Sequence, residues 1–212
     1  MAKNFLRDTF LIIETYSGVK NLYIVGLGRL SGYTYLLVHG SATAKSKRRA
    51  LLKQGALIEG MVYIKNRYHL SEFAVHEYFF TNLKSKQEVL ILNKLMQLFG
   101  LVYKPGDTAT FDRVINFFNH TFVTRTMSIR NGVYKILLLL NLAPYLKCSR
   151  CKKLNTSGFW LDREAFVCHL CSKTDGKNAS PRLKNLNTLY YNFNSEKDVL
   201  KTLETLYNTI AL

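Results

Sequence analysis

The sequence predicts an α+β protein: an N-terminal closed β-barrel, then a helical domain into which a small four-cysteine module is inserted. Three observations predict it. The first eighty residues are short runs rich in Ile, Val, Leu, Tyr and Phe, punctuated by Gly and Asn. From Lys86 the apolar spacing changes to a helical period. The four cysteines, Cys148, Cys151, Cys168 and Cys171, all fall in two Cys-x-x-Cys pairs.

The strands are expected at Asp8 to Tyr16, Leu22 to Leu30, Tyr33 to His39, Leu57 to Lys65 and Leu70 to Phe79. Five strands so closely spaced suggest closure, because a barrel leaves no exposed edges. Gly26, Gly28 and Gly32 lack the spacing of a dinucleotide loop, and no helical pattern follows them. They read as hairpin and bulge glycines.

The helices follow in order. Val89, Leu92, Leu95, Met96 and Phe99 form one stripe, with Gly100 as the expected C-cap and Pro105 beyond it. Asp107 or Thr108 can cap the next, whose stripe is Phe111, Val114, Ile115, Phe118 and Phe122. A third carries Ile129, Val133, Ile136, Leu137 and Leu140, and Pro144 stops it. Phe159 to Val167 reads as a short hairpin between the cysteine pairs. Ser180-Pro181 opens an expected helix with Leu183, Leu186, Tyr190 and Phe193 on one face. Ser195 and Asp198 resemble a capping box for a last helix burying Val199, Leu203, Leu206 and Ile210. The expected modules are residues 1–82 (barrel), 83–147 with 178–212 (helical domain) and 148–177 (cysteine module).

Sixteen residues separate the two cysteine pairs, the spacing of a two-knuckle zinc site. Two such turns bring four thiolates onto one tetrahedral metal, a closed and therefore structural site. Two disulfides or a redox pair fit less well with a cytosolic chain whose every cysteine is paired at this spacing. The expected cofactor is thus one structural Zn2+. His169, inside the second knuckle, reads as a neighbour of the metal shell rather than a ligand.

Thirty Lys and Arg against fourteen Asp and Glu give a formal charge of +16 over 212 residues, a balance that favours a polyanionic partner. Four thiolates and one Zn2+ would leave +14. No secretory core precedes the strands, and the longest apolar run, Ile136 to Leu142, is interrupted by Asn141. A cytoplasmic, nucleoid-associated protein is expected.

The densest basic run is Lys45, Lys47, Arg48 and Arg49, extended by Lys53; Arg29, Lys65 and Arg67 lie on other barrel strands or turns. Tyr23, Tyr33, Tyr35, Tyr63 and Tyr68 are interleaved with them. Bases stack on aromatic faces while cations follow the phosphates, as in small oligonucleotide-binding barrels of the OB-fold kind. Tyr33 and Tyr35 are the nominated stacking residues. Further cations, among them Lys147, Arg150, Lys152 and Lys153, surround the cysteine pairs. No nucleophile elbow, P-loop or H-E-x-x-H is present, and Glu72 and Glu77 are too sparse a set for a two-metal nuclease. A non-enzymatic protein is expected.

The order of parts resembles the bacterial recombination mediator RecO. The segment from Gly32 to Ala42, the basic run from Lys45 with Leu51 to Gly55, and the leucine-rich helix from Tyr134 to Ala143 ahead of Cys148 are similar to that family's in order. His39 and Ala42 stand where the family commonly has Lys and Arg, and Lys135 where it often has Glu. The resemblance implies binding of single- and double-stranded DNA and strand annealing. With RecR it implies loading of RecA onto DNA coated by single-strand-binding protein. It also implies capture of that protein's acidic C-terminal tail, for which Arg130 is the nominated carboxylate contact. The alternatives from the residues alone are a basic zinc-ribbon protein of transcription or translation, binding RNA or a polymerase, and a scaffold for acidic proteins.

Overall fold

The protein's structure, a computed structural model, describes residues 5–41, 43, 45–64, 67–140, 142, 151, 159–162, 165–168, 171, 190–191 and 195–211. Strands β1 (Phe5–Ser17), β2 (Leu22–Gly28), β3 (Gly32–Val38), β4 (Ala56–Ile64) and β5 (Tyr68–Tyr78) close into a barrel in the order β1-β2-β3-β5-β4. All neighbours are antiparallel except β3 and β5, which pair in parallel at Leu36↔Tyr68 and Leu37↔His69. All five expected strands are present, with ends shifted by a few residues. Alternation explains the core. Phe10, Ile12, Leu22, Ile24, Leu36, Val38, Ile58, Val62 and Leu70 face inward and are buried.

A short helix, α1 (Lys47–Leu51), lies between β3 and β4. The sequence pattern did not announce it, because five residues show less than two turns of period. Ser46 caps it, its Oγ accepting from the Arg49 N–H at 3.5 Å.

The chain separates into two compact units, and the division runs through α2 (Lys86–Val102). The first groups Met1–Leu83 with Met96–Arg125. In it α3 (Thr108–Phe118) begins at Asp107, whose carboxylate accepts from the Thr110 N–H at 3.1 Å. Phe111, Val114 and Phe118 are buried as the stripe predicts. The helix then widens into a π-turn at Asn119–Val123 that buries Phe122. Phe99, Tyr103 and Phe111 form a ring cluster with centroids 5.2 to 5.8 Å apart. Gly100 is not the C-cap expected of it; α2 continues to Val102.

The second unit groups Lys84–Leu95 with Thr126–Leu212. Ser85 accepts from the Glu88 N–H at 3.1 Å while Glu88 accepts from the Lys84 N–H at 2.7 Å, a reciprocal cap on α2. Helix α4 (Ile129–Leu139) buries Val133, Ile136 and Leu137. Helix α5 (Glu196–Ile210) buries Val199, Leu203 and Leu206. Both match their predicted stripes. Strands β6 (Phe159–Asp162) and β7 (Ala165–Cys168) form the expected hairpin. The helix expected from Pro181 to Phe193 is corrected at its far end. Tyr190–Tyr191 is a strand, β8, paired with β6 at Phe159↔Tyr191 and Trp160↔Tyr190. Two adjacent tyrosines favour the pleated partner over the helical stripe that their spacing suggested. Residues 180–189 lie outside the described residues. Among the described residues no helix is long and apolar enough to cross a membrane.

Candidate nucleic-acid interface

On β3 the period of two turns Thr34 and Leu36 inward and Tyr33 and Tyr35 outward, leaving them 50% and 68% exposed. Their rings meet edge to face at 5.9 Å. The antiparallel register sets Tyr23 of β2 opposite Leu37, and the parallel pairing brings the start of β5 alongside. The result is an open cleft of about 410 Å3 lined by Tyr23, Tyr33, Thr34, Tyr35, Leu36, Leu37, Arg67 and Tyr68. Four phenol rings and one guanidinium thus line one cleft.

Tyr33 is held from behind. A Cβ added at Gly100 would lie 3.2 and 3.3 Å from two atoms of its ring. The absence of a side chain at Gly100 therefore makes room for the tyrosine. Gly32, at the head of β3, has φ +72° and packs against Pro105, where a Cβ would come within 2.5 Å of the proline ring. The β2–β3 turn is organised by Asp8, a 3% exposed carboxylate. It accepts from the N–H groups of Leu30 and Ser31 and from the Ser31 hydroxyl, at 2.8 to 3.1 Å.

Arg29, nominated for DNA, is committed to this turn. Its Nε and Nη2 donate to the two carboxylate oxygens of Asp112 at 2.8 and 2.6 Å. That hydrogen bond raises its pKa above the ordinary guanidinium value. Its carbonyl accepts from the Tyr103 hydroxyl. Arg29 fastens the barrel to α3 rather than standing in the cleft.

The basic run forms a second patch. Lys45, Lys47, Arg48 and Arg49 are exposed, the last three on α1, and Lys53 follows. Arg48 donates from Nη2 to the Ser71 carbonyl at 3.1 Å. Arg49 and Lys53 line a groove with Thr15, Ser17, Leu22, Ala50, Leu52 and Gln54. Neither groove is lined by residues of both the cleft and α1.

The opposite balance prevails on β4 and β5. Glu59, Glu72 and Arg7 line a shallow pocket with Gly60, Met61, Phe73 and Ala74. Arg7 donates to Glu59 at 2.8 Å and holds its carboxyl below the usual range, with His76 Nε2 3.5 Å from the other oxygen.

Of the remaining nominated residues, Lys65 and Cys148 lie outside the described residues. Cys151 and Cys171 are described, and Cys168 ends β7, so the second cysteine pair follows directly from the β6–β7 hairpin. Two Cys-x-x-Cys pairs suit Zn2+ in donor chemistry; among the described residues no cluster of three or more candidate metal ligands is assembled. Lys147, Arg150, Lys152 and Lys153 also lie outside the described residues. Arg130 is exposed on the first turn of α4.

Sequence reasoning named the tyrosines and the basic run but missed three supports. These are the Gly100 clearance, the Asp8 turn, and a stack joining Tyr63 to His69 and His39. The period on β3 was the available signal for the last, since 33, 35, 37 and 39 fall on one side. A scan against protein-family models finds no match to the chain, and a search of curated proteins finds none either.

Proposed function

We propose that this protein is a non-enzymatic DNA-binding protein whose barrel holds single strands on its aromatic face. One observation carries the reading: Tyr23, Tyr33, Tyr35, Tyr68 and Arg67 line a single cleft. Stacking on tyrosine is tolerant of sequence, because every base has a π-face, and arginine adds a cation. The topology supports it. A five-stranded closed barrel with a helix between its third and fourth strands has the OB-fold arrangement, in which the β2–β3 face takes oligonucleotides. Here the exposed tyrosines of β2 and β3 occupy that face. The basic α1 supplies a second phosphate-binding patch.

Two nucleic-acid patches on one barrel suit a protein that holds one strand while meeting another. This favours the mediator reading: annealing of complementary strands and, with RecR, delivery of RecA to strands coated by single-strand-binding protein, whose acidic tail Arg130 would meet. The four cysteines would hold one structural Zn2+. The alternative, a zinc-ribbon protein binding RNA or a polymerase, shares the basic charge but gives no role to an aromatic cleft on the barrel. Affinities for single-stranded DNA, duplex DNA and RNA at matched salt, with an ATP-free annealing assay, decide between them. Annealing with single-strand preference is the expected result. RNA preference without annealing overturns it.

A further inference from the structure

The outward row of β3 does not stop at the cleft. Tyr33, Tyr35 and Leu37 are followed on the same side by His39, one residue beyond the strand. Its Nε2 lies 2.9 Å from Nδ1 of His69, and the two imidazoles stack with centroids 4.9 Å apart. His69 stacks in turn on Tyr63 at 4.7 Å, the planes 6° from parallel. His69 is 8% exposed, whereas His39 is open to solvent.

This contact restricts the protons the pair can carry. With both rings neutral, one nitrogen donates and the other accepts. One added proton keeps that bond and makes it charge-assisted. A second would set N–H against N–H at the same contact, and like charges a few ångströms apart oppose it. The pair is therefore a one-proton acceptor.

The surroundings call for an anion. Tyr63 faces the pair from β4, and Arg67 and Tyr68 precede His69 on β5. At the β1–β2 turn, Asn21 accepts from the Gly40 N–H at 3.3 Å. Among these described groups the charge is the cation of Arg67, so an arriving negative group favours a proton on the pair. A strand stacked along Tyr33 and Tyr35 brings phosphates to the end of that row.

Resting on the reading of the barrel as a nucleic-acid binder, we propose that the His39–His69 pair is a phosphate contact at the end of the aromatic cleft. It takes up one proton as the phosphodiester binds. The singly charged pair provides both the positive charge and an N–H donor.

The test is the affinity of the full chain for a fluorescent oligothymidylate at constant ionic strength, from about pH 5.5 to 8.5. Thymine does not titrate in that range. The wild type is expected to weaken as pH rises, by at most about tenfold per unit, the limit for one linked proton. His39→Gln, at an exposed site, should flatten the profile and match the wild type at high pH. At low pH it should also lower the salt slope by about 0.7, one phosphate contact. His76→Gln, which alters the imidazole beside Glu59, should follow the wild type. A His39→Gln profile that overlays the wild type overturns the proposal and leaves the barrel reading intact. So does a wild-type profile that is flat. Absence of binding at every pH overturns both.

Discussion

Gly100 sits inside a helix, where glycine is about 1 kcal/mol worse than alanine. Its ring contact with Tyr33 gives that cost a purpose. Gly100→Ala should therefore leave the melting temperature unchanged or higher while weakening single-strand binding. The loss is expected to be part of the roughly 1–3 kcal/mol that one stacked base contributes. Thermal melts beside oligonucleotide titrations check it, and undiminished affinity refutes the positioning role. Tyr103 tests the other support. Its phenol is pushed up to about 12, first by burial and then by the carboxylates of Asp107 and Asp8. A raised value means that the neutral phenol is favoured in the folded state. Its contribution is complete below the unfolded value near 10 and is lost as pH rises through about 12. Tyrosinate absorbance should show a late-ionising phenol that is absent from Tyr103→Phe. Neither role was legible in the sequence. Gly100 reads as a helix end and Tyr103 as one more aromatic, because both act through residues some seventy positions away.

At the scale of elements, what could be read depended on length and period. Strand β3 was legible because Tyr33 and Tyr35 alternate with Thr34 and Leu36 over a full strand. Helix α1 was not, and β8 was read as helix because Tyr190 and Phe193 also fit a helical face. Arg29 shows the limit of reading charge alone: an arginine in a basic barrel is bonded to Asp112, more than eighty residues on. The β3 row gives a direct prediction. Tyr35→Ala, at the more exposed ring, should weaken single-strand binding by about 1–3 kcal/mol per stacked base with little change in salt slope. A changed slope with unchanged affinity would mean that the ring does not stack. For the cysteine module, metal analysis should find about one zinc per chain. Chelation or Cys168→Ser should unfold the β6–β7 region before the barrel. A stably folded, metal-free preparation with four reactive thiols overturns the zinc site.

For the whole molecule, the barrel was legible because closure is the economical answer to five short strands, and the basic charge because it is a sum. The run from Lys45 to Lys53 was legible as its densest part; the pocket that gathers Glu59 and Glu72 with Arg7 was not. A net +16 is compatible with a diffuse attraction to any polyanion, yet the barrel divides its charge. Lys45, Lys47, Arg48 and Arg49 are exposed on and before α1, while Glu59 and Glu72 line the β4–β5 pocket and Glu59 holds Arg7. A diffuse field would respond equally to the loss of any cation. A localised one responds to α1. Replacing Lys47, Arg49 and Lys53 by Gln should reduce the slope of log K against log salt by about 2–2.7, at roughly 0.7–0.9 per phosphate contact. Affinity should fall similarly for all DNA sequences, because phosphate contacts carry no sequence information. Lys104→Gln with Arg113→Gln removes two cations whose field already falls on Asp107. That pair should change the slope by well under one contact. Equal slope changes per charge in the two variants would mean that net charge, and not the α1 patch, holds the DNA.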